Sequence, residues 1–170
     1  MIYLLTGGSG SGKSAYAEEK ICSFGNYNRI YLATMESGDG ESQKRIERHR
    51  ELRQGKNFTT IEQGRNLKTV KIPEGSVVLL ECLSNLLANE MYSPEGAGEN
   101  AVREILEGID QIDQQAKELV VVSNEVFSDM PVDREMKRYL SYLGEINADL
   151  AKKAAEVVEV VYGIPVFVKR

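Results

Sequence analysis

The sequence lacks the features that mark membrane-spanning and secreted proteins. No apolar run approaches the ~20 residues that a membrane-spanning helix needs. The first apolar run is only four or five residues long, has no basic leader before it and leads into glycines. It therefore predicts a buried strand rather than a signal peptide. We expect a soluble protein with no membrane span, located in the cytoplasm.

The chain also lacks the breaks in composition that separate domains. It contains no Pro/Ser-rich linker, no internal repeat and no low-complexity tract. Its 170 residues suffice for one core of ordinary size, and hydrophobic residues at 42% with charged residues at 28% lie near globular averages. We expect residues 1–170 to form a single domain.

Cysteine and net positive charge are scarce as well. The two cysteines, Cys22 and Cys82, form no CxxC pair and have no nearby histidine. Neither a zinc site nor a disulfide framework is indicated, and we expect reduced thiols in packed positions. The formal net charge of −5 excludes a global attraction to nucleic acid, although local basic patches can still bind small polyphosphates. We expect no nucleic-acid partner.

The sequence does contain short β-branched runs that alternate with helical stretches. Most of these runs are apolar throughout, as in strands buried on both faces. The predicted strands are Ile2–Leu5, Arg29–Thr34, Phe58–Glu62, Val77–Glu81, Leu119–Ser123, Val157–Val161 and Pro165–Lys169. The predicted helices are residues 13 to about 24, 41 to about 53, 83 to about 91, 100–117 and 133 to about 156. This order predicts an α/β fold with a mostly parallel sheet, helices on both faces and a C-terminal edge hairpin.

A glycine-rich loop, TGGSGSGKS, lies between the first predicted strand and the first predicted helix. It matches the Walker A pattern, and the strand and helix beside it are the context that separates a true phosphate-binding loop from a chance match. Backbone N–H groups close around phosphate oxygens, Lys13 reaches the β- and γ-phosphates, and Ser14 can ligate Mg²⁺. The predicted nucleotide-binding residues of the loop are Gly7, Gly8, Ser9, Gly10, Ser11, Gly12, Lys13 and Ser14. The fold is therefore predicted to be P-loop NTPase-like.

Two later strands end in polar residues that would lie at the same edge of the sheet. Val77–Glu81 resembles a Walker B strand, in which the terminal carboxylate lies near Mg²⁺. Taken alone, it is equally a buried strand that ends in an acid. The run VVVSNE brings Asn124 and Glu125 to the same edge, and this convergence favours a site that contains Glu81.

The only histidine, His49, lies in a helix with almost no apolar stripe, ESQKRIERHRELR. Ile46, His49, Arg50 and Arg53 fall on one side of this helix. A solvated helix with an inactive histidine is one interpretation. The arginines favour another, because guanidinium groups fit phosphate oxygens and keep a nearby imidazole neutral and nucleophilic. Such an imidazole could attack the α-phosphate of a nucleotide.

These motifs together resemble a known family, the bifunctional adenosylcobinamide kinase/adenosylcobinamide-phosphate guanylyltransferases of cobalamin biosynthesis. The resemblance spans nearly the whole chain. It runs through TGGSGSGKSAYAE, YLATM, RIERHRELR, IEQ, LLECLSNLLAN, VVVSNEV and the ending GEINADLAKKAAEVVEVVYGIPVFVK. The joint order and spacing of these motifs carry the likeness, since only the Walker A motif is specific by itself.

The resemblance implies two reactions on one chain. The family phosphorylates adenosylcobinamide with ATP or GTP, and then transfers GMP from GTP to adenosylcobinamide phosphate through a guanylylated histidine, which His49 matches. Lys13 would assist catalysis, and Ser14 with Glu81 would hold Mg²⁺. Beyond the loop, the implied nucleotide contacts are Ala33, Thr34, Met35, Arg50, Glu51, Leu52, Arg53, Glu62 and Glu81. The family also implies a homo-oligomer, and the cluster at residues 139–143 could pack on the sheet or on another subunit.

The sequence departs from the family at two places. Phe58 lies near an expected tryptophan, and residues 127–131 read FSDMP where the family has a glycine-rich segment. Two other functions stay open. One is a P-loop kinase of a small metabolite, which forms no covalent intermediate; the other is a GTP-binding regulatory module that recruits a partner.

Overall fold

A central sheet of seven strands organises the computed structural model, which describes residues 1–36, 40–126, 130 and 132–170. The strand order is β3-β2-β4-β5-β1-β6-β7, and every neighbouring pair is parallel except the antiparallel β6–β7 hairpin. The strands are β1 (Ile2–Thr6), β2 (Asn28–Ala33), β3 (Phe58–Glu62), β4 (Ser76–Glu81), β5 (Glu118–Val122), β6 (Glu156–Val161) and β7 (Ile164–Lys169). The predicted parallel sheet with a C-terminal edge hairpin is confirmed.

Five α-helices connect these strands within the described residues. They are α1 (Lys13–Ser23), α2 (Gly40–Arg53), α3 (Leu83–Tyr92), α4 (Ala101–Gln115) and α5 (Arg134–Lys153). The predicted C-terminal ends of α4 and α5 were too late by two or three residues. At both places the chain leaves the helix to join the sheet. The backbone N–H of Lys117 donates to the Ser76 carbonyl oxygen at 2.8 Å, and the backbone N–H of Ala155 donates to the Ile2 carbonyl oxygen at 2.8 Å. Backbone pairing of the next strand outweighed helix propensity at both ends.

The core has two layers, one on each face of the sheet. One face is covered by α3, α4 and α5, and the other by α1, which buries Ala17 and Ile21 against β4 and β5. The central strand β4 is buried along its whole length. Strands covered on both faces have no alternation of polar and apolar residues, which explains the continuous apolar runs in the sequence.

Helix α2 differs from the others because it contributes almost nothing to either core layer. Its fourteen residues bury only Arg53, and it packs against α1 near the carboxyl ends of β2 and β4. Within the described part of the chain, no helix has the length and apolar character needed to cross a membrane. The altered segment at residues 127–131 lies, apart from Met130, outside the described residues.

Candidate active site

The glycine-rich loop connects β1 to α1 and curls beneath the carboxyl edge of the sheet. Lys13 is the first residue of α1, and its Nζ donates to the Gly8 carbonyl oxygen at 3.1 Å. Gly12 has φ 94°, and a Cβ atom there would lie 3.2 Å from the Cα of Gly163 in the β6–β7 turn. The turn also binds the loop directly, because Gly163 N donates to Ser11 O at 2.7 Å. The edge hairpin therefore supports the phosphate loop from outside.

Glu81, the last residue of β4, is the centre of the polar contacts at this edge. One carboxylate oxygen, Oε1, accepts a hydrogen bond from Ser14 Oγ, and the other, Oε2, accepts one from the Tyr31 hydroxyl at 3.3 Å. His49 Nδ1 lies 3.5 Å from Oε1. Burial by itself raises the pKa of Glu81, but its contacts with His49, Ser14 and Tyr31 outweigh burial and lower that pKa. Glu81 is therefore a carboxylate held between the loop and α2.

His49 enters the site from α2 and contacts the strand residue Tyr31. Its Nδ1 lies 3.1 Å from the Tyr31 hydroxyl oxygen, and its side chain is 22% exposed to solvent. Burial and the nearby Glu81 carboxylate raise the pKa of Tyr31, so its hydroxyl keeps its proton. The Arg53 guanidinium carbon lies 3.5 Å from the centroid of the Tyr31 ring, a cation–π contact that fixes the last turn of α2 over β2.

These groups line one cleft of about 320 Å³ between the loop and α2. The Lys13 side chain is half-buried in this cleft, and its burial lowers the pKa of the ammonium. The Nη1 atom of Arg53 is buried and has no hydrogen-bond partner among the described residues. A buried guanidinium nitrogen without a partner is costly, and a phosphate oxygen would satisfy it.

Most of the predicted site residues line this cleft. They are Ser9, Gly10, Ser11, Gly12, Lys13, Ser14, Ala33, Met35, His49, Arg50, Leu52, Arg53, Glu62 and Glu81. Four predicted residues lie outside its lining: Gly7, Gly8, Thr34 and Glu51. Thr34 is fully buried, and its hydroxyl exchanges hydrogen bonds with the backbone of Glu81 and Cys82 at 2.8–3.0 Å. It therefore supports the end of β4 from behind, whereas Glu51 is exposed on α2.

Several lining residues were not predicted from the sequence. Tyr31 was read only as part of an apolar strand, although a tyrosine in such a run carries a hydroxyl that needs a partner. Arg45 lies one helical turn before His49, so the i, i+4 spacing could have identified it. Arg48 and Asn85 also line the cleft, and no sequence signal singled them out. The Asn124 side chain reaches the cleft as expected and donates to Ser84 Oγ at 2.6 Å.

The donor set at this edge fits Mg²⁺ in part. The Ser14 hydroxyl and the Glu81 carboxylate supply the hard oxygen ligands that Mg²⁺ prefers, and they already touch each other. Among the described residues, no three His, Cys, Asp or Glu side chains come together as metal ligands. A Mg²⁺ ion here would therefore take its remaining ligands from phosphate oxygens and water, as is usual for Mg²⁺ at nucleotide sites.

A comparison with known protein families identifies the family of this chain. The family model described as "Cobinamide kinase / cobinamide phosphate guanyltransferase" matches residues 3–168. The chain belongs to this family. The resemblance read from the motifs is thereby confirmed, and the chain is a nucleotide-dependent transferase.

Three related proteins are similar to this chain along nearly their whole length. The chain is 32% identical to the bifunctional adenosylcobalamin biosynthesis protein CobU of Escherichia coli (strain K12), covering 99% of this chain and 100% of the relative. It is 31% identical to CobU of Salmonella typhimurium with the same coverage. It is 28% identical to the bifunctional adenosylcobalamin biosynthesis protein CobP of Pseudomonas aeruginosa, over 98% of this chain and 96% of that one.

Solved structures with a similar fold are more distant in sequence. The flagellar accessory protein FlaH from Methanocaldococcus jannaschii matches with a TM-score of 0.53 at 13% identity, covering 99% of this chain and 77% of that one. The ATPase domain of G40P matches with a TM-score of 0.50 at 10% identity, covering 93% and 68%. At these identities the likeness shows the fold alone, and it confirms the predicted P-loop NTPase-like architecture of this cobinamide kinase family member.

Proposed function

We propose that this chain phosphorylates adenosylcobinamide with ATP or GTP and then transfers GMP from GTP to adenosylcobinamide phosphate, forming adenosylcobinamide-GDP. Family membership supports the pair of activities. The observation that carries the covalent mechanism is that His49, the only histidine, lines the same cleft as the phosphate loop and lies 3.5 Å from the carboxylate that binds Ser14. A nucleotide held by the loop would thus lie beside an imidazole.

The kinase step depends on the loop. Backbone N–H groups of residues 8–13 and the α1 N-terminus hold the β- and γ-phosphates, and Lys13 neutralises charge that develops on the transferred group. The acceptor hydroxyl attacks the γ-phosphorus and releases its proton to solvent, and the nucleoside diphosphate leaves with the bridging oxygen. Phosphoryl transfer needs positioning and charge stabilisation more than covalent help, so this step requires no covalent role for His49.

The guanylyl step uses both halves of the cleft, which are the phosphate loop on one side and helix α2 on the other. The imidazole of His49 attacks the α-phosphorus of GTP, the bond to the β-phosphate bridging oxygen breaks, and pyrophosphate leaves with the electron pair. An oxygen of adenosylcobinamide phosphate then attacks the same phosphorus and returns the electron pair to the ring. Two displacements let pyrophosphate depart before the bulky acceptor binds. Arg53 would contact the phosphates during both displacements, and its buried Nη1, which has no partner among the described residues, supports this role.

The remaining nucleotide contacts follow from the cleft lining. Ala33 and Met35 at the end of β2, with Leu52 on α2, offer apolar surface to a base or ribose. Arg50 and Glu62 face each other at 4.0 Å and are both exposed, so they are free to reorient toward a ligand. Mg²⁺ bound by Ser14 and Glu81 would supply Lewis-acid neutralisation of the phosphate charge.

The test is incubation with Mg²⁺ and GTP labelled at the α-phosphate, followed by denaturing separation. The full-length protein should retain an acid-labile, alkali-stable label, the signature of a phosphoramidate, and His49→Ala should retain none. Lys44→Ala is the matched control, because Lys44 is exposed on the same helix and does not line the cleft. GTP labelled at the γ-phosphate should leave no label on the protein.

Other outcomes point to the alternatives. Phosphorylation of adenosylcobinamide without any protein-bound label would indicate a kinase with no covalent intermediate. Tight GTP binding with neither label nor turnover would indicate a regulatory module. Equal labelling of the wild type and His49→Ala would place the intermediate on another residue and overturn the assignment of His49.

A further inference from the structure

Tyr31 connects Glu81 to His49 and has no part in the mechanism described so far. Its hydroxyl lies 3.3 Å from Glu81 Oε2 and 3.1 Å from His49 Nδ1. A phenol carries one proton and can therefore donate only one of these two hydrogen bonds. The direct approach of His49 Nδ1 to Glu81 Oε1, at 3.5 Å, is longer than an ordinary N–H···O hydrogen bond. The Tyr31 hydroxyl therefore connects the His49 imidazole to the Glu81 carboxylate by shorter contacts than their direct approach.

The direction of this link follows from what each partner can do. An ionised carboxylate only accepts, so the Tyr31 proton is donated to Glu81. The hydroxyl oxygen must then accept a hydrogen bond from His49, which requires a proton on Nδ1. A neutral imidazole carries one proton, so Nε2 is left with the free electron pair.

We propose that Tyr31 is the positioning residue of guanylyl transfer: its hydroxyl fixes His49 in the Nδ1–H tautomer and thereby makes Nε2 the atom that attacks the α-phosphorus. The inference rests on the proposed guanylylation of His49 and adds the attacking atom and the residue that selects it. When the Nε2–P bond forms and pyrophosphate leaves, the ring keeps its Nδ1 proton and gains a positive charge. Glu81 balances this charge through the Tyr31 hydroxyl, so no proton has to leave the site.

Packing contacts with two neighbouring side chains fix the orientation of the Tyr31 ring. Arg53 covers one face of Tyr31, and Phe58 on β3 meets the ring edge-on with centroids 6.3 Å apart. Tyr31 itself is 4% exposed. The phenol therefore has little freedom to turn away, and the carboxylate serves two partners with its two oxygens. Oε1 faces Ser14 and the phosphate loop, whereas Oε2 faces Tyr31 and the histidine.

The sole histidine makes the tautomer directly measurable. Full-length protein without a histidine tag, labelled with ¹⁵N in the imidazole ring, gives one pair of ring nitrogens in a long-range ¹H–¹⁵N correlation spectrum. The spectrum is recorded without nucleotide or metal, at a pH two units above the ordinary histidine pKa of about 6.5, so that a free ring is neutral. We expect Nδ1 at the shift of a protonated, pyrrole-type nitrogen and Nε2 at the shift of an unprotonated, pyridine-type one. Free histidine in water prefers the opposite tautomer, so this result requires the protein.

Two variants separate positioning from packing. Tyr31→Phe keeps the ring and its contact with Arg53 but removes the hydroxyl. We expect the tautomer to shift toward Nε2–H and the rate of protein labelling at saturating GTP to fall roughly 10- to 100-fold, with the half-saturating GTP concentration little changed. Tyr3→Phe is the control, because Tyr3 lies on β1, which β4 and β5 separate from β2, and does not line the cleft; it should change neither readout.

The outcomes distinguish this inference from the proposed function. An Nε2–H tautomer in the wild type, or an unchanged tautomer and labelling rate in Tyr31→Phe, would overturn the role of Tyr31 while leaving guanylylation intact. No label on the wild type would refute guanylylation itself, whatever tautomer the spectrum shows. Because the wild-type spectrum needs no variant, the test survives even if Tyr31→Phe fails to fold.

Discussion

A buried ion pair ties the two halves of the cleft together and can be tested by removing its positive charge. Lys56 Nζ lies 2.6 Å from Glu18 Oε2, where Glu18 is on α1, just after the phosphate loop, and Lys56 is three residues beyond α2. The Glu18 side chain is 1% exposed and that of Lys56 is 33% exposed. Lys56→Met keeps most of the aliphatic chain but leaves the Glu18 carboxylate buried without its counter-charge.

The magnitude follows from distance and burial. At 2.6 Å and an effective dielectric constant of about 20, the attraction between the charges is roughly 6 kcal/mol before desolvation is subtracted. Removing one partner of a buried pair typically costs about 3–5 kcal/mol, because the other charge stays buried. Glu18 Oε1 already lacks a hydrogen-bond partner among the described residues, so it has no alternative contact in place. Water can enter where Lys56 is exposed, and we therefore expect a loss of about 2–3 kcal/mol in the free energy of unfolding.

The assay is urea unfolding followed by circular dichroism, with the midpoint and slope fitted separately. Lys152→Met is the control, since Lys152 pairs with Asp149 at 3.1 Å on the surface with 76% exposure, and it should cost less than about 1 kcal/mol. In a Glu18→Gln background, Lys56→Met should also cost less than about 1 kcal/mol, because no buried carboxylate remains. An equal cost of Lys56→Met in both backgrounds would show that lost packing, not an uncompensated charge, destabilises the protein.

Two further predictions concern the loop and a buried acid. Gly12→Ala should lower the free energy of unfolding by about 1–3 kcal/mol and weaken nucleotide binding in a titration, because Gly12 has φ 94° and a Cβ there would lie 3.2 Å from the Cα of Gly163; wild-type affinity in the variant would contradict this. Burial raises the pKa of Glu90, so its ionised form destabilises the fold above that pKa. Glu90→Gln should therefore unfold at higher urea concentration than the wild type at neutral pH. The gain should vanish below the ordinary pKa of 4.5, where the wild-type acid is protonated in both states; a gain that persists in acid would show that ionisation is not its cause.

The inner strands of the sheet were predictable because they are short, apolar and largely buried on both faces. β3 was predicted with its observed bounds, Phe58–Glu62, and β1 and β4 were each one residue longer than expected. The helix ends were less predictable, since the chain leaves α4 and α5 as soon as strand pairing becomes available, which local propensity does not encode.

The loop half of the site could be read from the sequence, whereas the connection between the loop and α2 could not. The Walker A spacing is a local signal, because one short segment supplies all its backbone donors. The contact of Tyr31 with His49 joins residues eighteen positions apart, and its contact with Glu81 joins residues fifty apart. Only the parallel pairing of β2 with β4, which sets Tyr31 opposite Leu79, brings these side chains to one edge. Such a site depends on sheet register and helix placement rather than on any motif.

The separation of the two halves of the cleft determines how the two reactions can be separated by mutation. The loop is held by contacts within itself and with the β6–β7 turn, and on the proposed mechanism both reactions need it. Helix α2 has no apolar face and buries only Arg53, so polar contacts hold His49 in place: the cation–π contact on Tyr31 and the Glu18–Lys56 pair just beyond the helix. Changes in the loop should therefore impair both phosphoryl and guanylyl transfer. On the proposed mechanism, changes in the contacts of α2 should impair guanylyl transfer more than phosphoryl transfer, because only guanylyl transfer would require the imidazole to be held against the α-phosphate.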